Sequence, residues 1–106
     1  MINLNIIRSY RDVIAVCDAS ILGKRFEEQS SAGKGIIRQL DVKENFYKGE
    51  EVNEEKAIEI MKRFAHEDAT FNIAGHEAVT AALKAEVISK ESIGKIQGIP
   101  FALVLL

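Results

Sequence analysis

Apolar residues alternate with asparagines over Ile2, Asn3, Leu4, Asn5 and Ile6, the period of two that predicts a strand with one wetter face. After a polar turn at Arg8–Asp12, every position from Val13 to Cys17 is apolar, so a second strand covered on both faces is expected there. Strands this close in sequence form an antiparallel hairpin most simply. The strand then breaks. Asp18 is placed to cap a short helical turn at Ala19–Leu22, and Gly23 supplies the left-handed residue that ends it.

Gln29–Gly35, with Ser30, Ser31, Gly33 and Gly35, predicts a flexible loop tip. Ile36–Val42 returns as a strand, with Arg38 on the same face as Ile36, Leu40 and Val42. Lys43–Asn45 turns into Phe46-Tyr47-Lys48-Gly49, read as extended, so that one aromatic points to the core and the other is free. Asn53 is an N-cap with Glu54 and Glu55 in the first turn, where the helix dipole favours acids. Ala57, Ile58, Met61, Phe64 and Ala65 repeat at helical spacing, and Lys62, Arg63 and His66 close that helix.

Thr70–Ala74 reads equally as a short strand or an irregular connection. Gly75 precedes a second helix whose inner face, Ala78, Val79, Ala82 and Leu83, is small enough for close approach to a sheet. Ser89–Ser92 turns, and Ile93–Ile99 and Phe101–Leu106 are two extended pieces broken at Gly98–Pro100. The final run is apolar on both faces, so it is either an inner strand or one covered by a second subunit. With two substantial helices among hairpins, the pattern predicts one α+β domain over residues 1–106: a mixed or mostly antiparallel sheet with two main helices packed on it.

Composition narrows the function. With Lys and Arg totalling 14 against 16 Asp and Glu, the net charge is -2, which argues against a protein built mainly to neutralise nucleic-acid phosphates. The mild local basic excess lies at Lys24, Arg25, Lys34, Arg38, Lys43 and Lys48; with Phe46 or Tyr47 stacking on bases, it allows a small RNA-facing surface. The sequence holds one cysteine, so no internal disulfide forms, in keeping with a reducing compartment. The chain enters its first strand without a basic leader, and its longest apolar run, Phe101–Leu106, is too short to span a bilayer. A cytoplasmic protein without a membrane partner is expected.

Candidate chemistry gathers where the second strand breaks. Cys17 sits just ahead of a helical turn, which favours thiolate, and Lys24 adds positive charge, whereas Asp18 opposes a second negative charge. The competing reading is a cysteine that is simply a small core residue. Asn72-Ile73-Ala74-Gly75 offers free N–H groups at the start of the second helix, a natural anion seat. Cys17, Asp18, Lys24, Asn72 and Gly75 therefore form the candidate polar site; Lys24, Arg25, Arg38, Phe46, Tyr47 and Lys48 form the candidate binding surface. His76-Glu77 lacks the second histidine of a zinc-protease helix, and Ser31-Ala32-Gly33-Lys34-Gly35 lacks the leading glycine and the trailing hydroxyl residue of a phosphate loop. No metal or cofactor is expected.

Cys17-Asp18, Ile21-Leu22-Gly23-Lys24-Arg25-Phe26, Phe46-Tyr47-Lys48-Gly49, Asn72-Ile73-Ala74-Gly75 and Gly98-Ile99-Pro100, in this order and spacing from about Val13 to Val104, resemble a small archaeal family known only as a domain of unknown function, family number 424. Two features depart from its pattern: Gln29–Arg38 looks like an insertion, and Phe101 stands where the family tends to carry a histidine. The resemblance implies an archaeal cytosolic protein and carries over no catalytic residue; its association with translation genes tilts the expectation toward binding. The function expected is a small non-catalytic binding protein whose partner is RNA or a translation-associated protein. The alternative is a small enzyme or ligand-binding protein with an anion site around Cys17, Asp18, Lys24 and Asn72. A homodimer through the C-terminal strand is a third expectation.

Overall fold

The computed structural model describes residues 1–29 and 37–105. Strands β1 (Ile2–Ile7) and β2 (Val13–Asp18) form the expected antiparallel hairpin, with Ile2 opposite Asp18 and Ile7 opposite Val13. A single 3-10 turn at Ala19–Ile21 and Gly23, at φ 83°, lead into β3 (Arg25–Gln29). β3 pairs antiparallel with β4 (Ile37–Asp41) as a separate two-stranded sheet. Then come a helical turn α1 (Glu44–Tyr47), a short strand β5 (Glu50–Val52), α2 (Glu54–Ala65), β6 (Thr70–Ala74), α3 (His76–Lys84), β7 (Gly94–Ile96) and β8 (Ile99–Val104).

The main sheet runs β5-β1-β2-β6-β8-β7. Every neighbouring pair in it is antiparallel except β2 and β6, which are parallel. The domain is therefore α+β with a mixed sheet, as the alternation of elements predicts.

Helices α2 and α3 cover one face. Asn53 Oδ1 accepts from the Lys56 N–H at 2.8 Å, and Ala57, Met61 and Phe64 form the buried stripe of α2. Ala78, Ala81 and Ala82 of α3 are fully buried and let its backbone come close to the sheet. Against them lie Ile2, Leu4, Ile14, Val16, Phe71 and Ile73, the inward positions of the strands.

The second face is covered over one half by β3, β4 and α1. A smaller core forms there from Ala15, Cys17, Leu40, Val42, Tyr47, Ala74 and Ile96. Toward the other end of the sheet this face opens: Asn5 and Asn72 are half-buried and Leu103 is 54% exposed.

Two expectations require correction, and one element was not anticipated. Asn3 and Asn5 do not form a wet face. Asn3 is buried and accepts from the Gly49 N–H at 2.6 Å, while Asn5 Nδ2 donates to the Phe46 carbonyl at 2.7 Å. The two side chains fasten the α1 segment to the sheet. Phe46-Tyr47 is helical rather than extended, because Lys43 and Glu44 carbonyls accept from Tyr47 and Lys48 and close one turn. β5, three residues long, carries too little pattern to be read from sequence; its pairing to β1 defines it. The expected loop tip beyond Gln29 lies outside the described residues.

Gly49 is needed where it stands because a Cβ there would collide with the Leu4 carbonyl oxygen and come within 2.7 Å of Asn5 Cα. Asn3→Ala leaves the Gly49 N–H without its acceptor, and equilibrium urea unfolding is expected to show a loss of about 1–3 kcal/mol. Gly49→Ala is expected to lose more in the same assay, because backbone rather than a side-chain tip must move.

Candidate functional site

The polar candidates are divided by the pleat of β2. Successive strand residues face opposite sides, so Asp18 joins Ile2 on the helix side while Cys17 joins Ala15 on the hairpin side. Asp18 occupies the N-cap position of the 3-10 turn, yet its side chain makes no capping bond there. It reaches instead to α3, where Oδ2 accepts from the Glu77 N–H at 3.1 Å and Oδ1 from the Ala78 N–H at 2.8 Å.

That contact corrects the role given to Asp18. The cap residue of α3 is Gly75, which has no side chain to offer, so the N–H groups at the second and third helical positions are orphans. Asp18 supplies both acceptors from the neighbouring strand, and the positive end of the helix dipole favours its negative charge. The close approach requires glycine: a Cβ at Gly75 would stand 2.5 Å from Asp18 Oδ1 and 2.7 Å from Oδ2, and its φ of 107° is unsuited to any other residue. The Gly75 N–H donates to the Pro100 carbonyl at 2.8 Å, which locks the same corner to β8. The anion seat expected beside Asn72 and Gly75 therefore holds the protein's own carboxylate.

Cys17 has no exposed surface and pairs with Asn3 on one side and Ala74 on the other. Burial, and then the adjacent Asp18 carboxylate, push its thiol up from the ordinary 9.0 to about 12. At neutral pH it is a protonated core residue, the opposite of an activated thiolate. Tyr47 lies in the same small core, and burial with the nearby thiol raises its phenol to about 12.

Asn72 shares the hairpin-side face with Cys17 but lies one pair further along, opposite Ala15, and is half-buried. Lys24 is exposed at the base of the β3–β4 hairpin, where its carbonyl accepts from Val42. The structure thus joins Asp18 to Gly75, seals Cys17 and leaves Lys24 on the outer surface.

The candidate binding surface is of mixed sign. Arg25 Nη2 stands 2.6 Å from Glu27 and 3.1 Å from Gln39 Oε1; Arg38 is 3.3 Å from Glu28, and Lys48 is 3.4 Å from Glu44. Tyr47 is buried and Phe46 half-buried, packed edge to face with ring centroids 5.2 Å apart. The aromatics belong chiefly to the small core. Among the described residues, no group of three or more His, Cys, Asp or Glu side chains is arranged to hold a metal ion, and no helix is long and apolar enough to cross a membrane.

A family model described as a protein of unknown function (DUF424) matches residues 7–106. The chain belongs to the DUF424 family. Within solved structures, this DUF424 chain is similar to a crystal structure of an uncharacterized conserved protein from Methanopyrus kandleri, at 25% identity and a TM-score of 0.80, over 97% of this chain and 89% of that one. No curated protein matches it.

The pairing of Asp18 with α3 escaped the sequence reading, although one signal for it was present: a helix that opens with a glycine cap needs its acceptor from elsewhere. Asp18→Ala is expected to lower stability by about 2 kcal/mol, since it removes two bonds to helix N–H groups, the one from Ala78 buried and the one from Glu77 partly so. Gly75→Ala is also destabilising. The double variant is expected to lose less than the sum of the two, because the Cβ then enters space left by the carboxylate; a full double-mutant cycle by urea unfolding measures this coupling.

Cys17 and Tyr47 generate a prediction at high pH. In the unfolded chain the thiol ionises near its ordinary 9.0, whereas in the folded chain it holds its proton to about 12. Over that interval the unfolded state alone releases the proton, so stability falls as pH rises. Unfolding curves measured from neutral pH upward are expected to show this decline, with a shallower slope in Cys17→Ala and in Tyr47→Phe.

Proposed function

We propose that this DUF424 protein is a non-catalytic binding module that engages another macromolecule through the outer surface of the β3–β4 hairpin and the adjoining α1 turn. The observation that supports this reading is the internal use of the two leading candidates for a reactive site: Asp18 caps α3, and Cys17 is a sealed, protonated thiol. Among the described residues, the exposed groups on the hairpin include Lys24, Arg25, Glu27, Gln29, Arg38 and Gln39.

Alternating guanidinium and carboxylate groups suit a protein surface of both signs better than the uniformly negative backbone of RNA. The partner is therefore a protein, and a translation-associated one is the class raised by the family resemblance. RNA is the second reading; the exposure of Lys24 and Lys43 at the hairpin base favours it. Self-association of the C-terminal strand belongs to a different part of the sheet and is independent of either reading.

A photo-crosslinking side chain placed at Gln39 is expected to capture a discrete protein adduct in lysate of the native organism, while one at Glu59 on the outer side of α2 is not. Mass spectrometry of the adduct then identifies the partner's class. Equal labelling from both positions, or none from Gln39, overturns the proposal. A gel shift against total RNA that weakens steeply between about 50 and 200 mM salt replaces the protein partner with RNA.

A further inference from the structure

The outer edge of β8 is only half occupied. The Pro100 carbonyl faces β6, where it accepts from Gly75. In an antiparallel strand alternate residues send their backbone groups to the same side, so Ala102 and Val104 also face β6. Ile99, Phe101 and Leu103 face the other way, and Leu105 follows directly on the end of the strand. β7 pairs with the first two, through Ile96 opposite Ile99 and Gly94 opposite Phe101, and ends at Gly94. Among the described residues no strand lies against the outward N–H and C=O groups of Leu103.

The same residues expose their side chains. Leu103 is 54% and Leu105 69% exposed, on the sheet face that the hairpin leaves open. No charged residue occurs from Ile99 to Leu105, and Pro100, the one residue that blocks strand pairing, lies in the part β7 already covers. An unpaired, uncharged, apolar edge is what soluble proteins otherwise blunt with lysine, proline or a bulge. A groove of about 450 Å³ runs beside it, with Val87, Ile88, Leu103, Val104 and Leu105 as its apolar lining and Glu86 as its one charged member, the geometry into which an added strand fits.

We infer that this edge pairs with the same edge of a second copy of the chain. Antiparallel pairing about a two-fold axis through Val104 sets Leu103 opposite Leu105 of the second copy and Leu105 opposite its Leu103. The outward backbone groups of both residues then meet partners, leucine faces leucine across the seam, and no like charges are opposed. The segment is short and buries well under the roughly 800 Å² per partner of a standard stable interface. The dimer is therefore weak, with a dissociation constant on the order of 100 µM.

Sedimentation equilibrium from about 10 µM to about 1 mM tests this directly. The wild-type average mass is expected to rise with concentration from the 11.8 kDa of one chain toward twice that value. The Leu103→Lys/Leu105→Lys double variant is expected to stay at one chain's mass throughout, with an unchanged circular dichroism spectrum and melting temperature because both side chains are exposed. The Leu103 amide of the wild type is expected to exchange with solvent more slowly as concentration rises. A wild-type protein that remains monomeric at the highest concentration, or a dimer that survives both lysines, overturns the inference.

Discussion

The carboxylate of Asp18 seated on the first turn of α3 is the interaction on which the arrangement of the domain turns. β2 and β6 are the central strands and the one parallel pair of the main sheet, and α3 leaves β6 through a single glycine. A helix that starts so abruptly exposes the N–H groups of its first turn close to the end of β2. Burying them without acceptors would cost more than the packing of small alanines could return. Asp18, at the last position of β2, meets that demand because the pleat turns it toward the helices. Gly75 meets the steric half of it by adding no side chain.

The other polar contacts at the sheet follow the same logic. Asn3 and Asn5 carry the segment from Phe46 to Gly49, and Gly49 yields the space for its backbone to touch β1. Several of the short motifs on which the family resemblance rests therefore converge on contacts between elements. Cys17-Asp18, Asn72-Ile73-Ala74-Gly75 and Gly98-Ile99-Pro100 meet at one corner, where Asp18 binds α3 and the Gly75 N–H binds the Pro100 carbonyl. Phe46-Tyr47-Lys48-Gly49 meets β1. Residue types that suggest chemistry when read in a line are here the fastenings between strands and helices.

Local features were legible in the sequence. The β1–β2 hairpin follows from alternation and a short connection, and α2 from Asn53, two early acids and an apolar stripe at helical spacing. Tertiary features were less so. Thr70–Ala74 is a central strand because β2 and β8 flank it, which its five residues do not announce. Phe46 and Tyr47 carry strand propensity, but their backbone closes into a turn that the asparagines of β1 hold. Asp18 has a local helical turn to cap and a distant one; buried N–H groups outweigh those of a short exposed turn, and only the fold shows that α3 is within reach.

Amide hydrogen exchange at Glu77 and Ala78 examines the central contact most directly, because first-turn N–H groups have no acceptor within their own helix. If Asp18 holds them, both amides are protected in the wild-type protein and exchange at least about tenfold faster in Asp18→Ala, with little change in the middle of α2. Amides that exchange freely in the wild type, or that keep their protection in Asp18→Ala, would contradict the account.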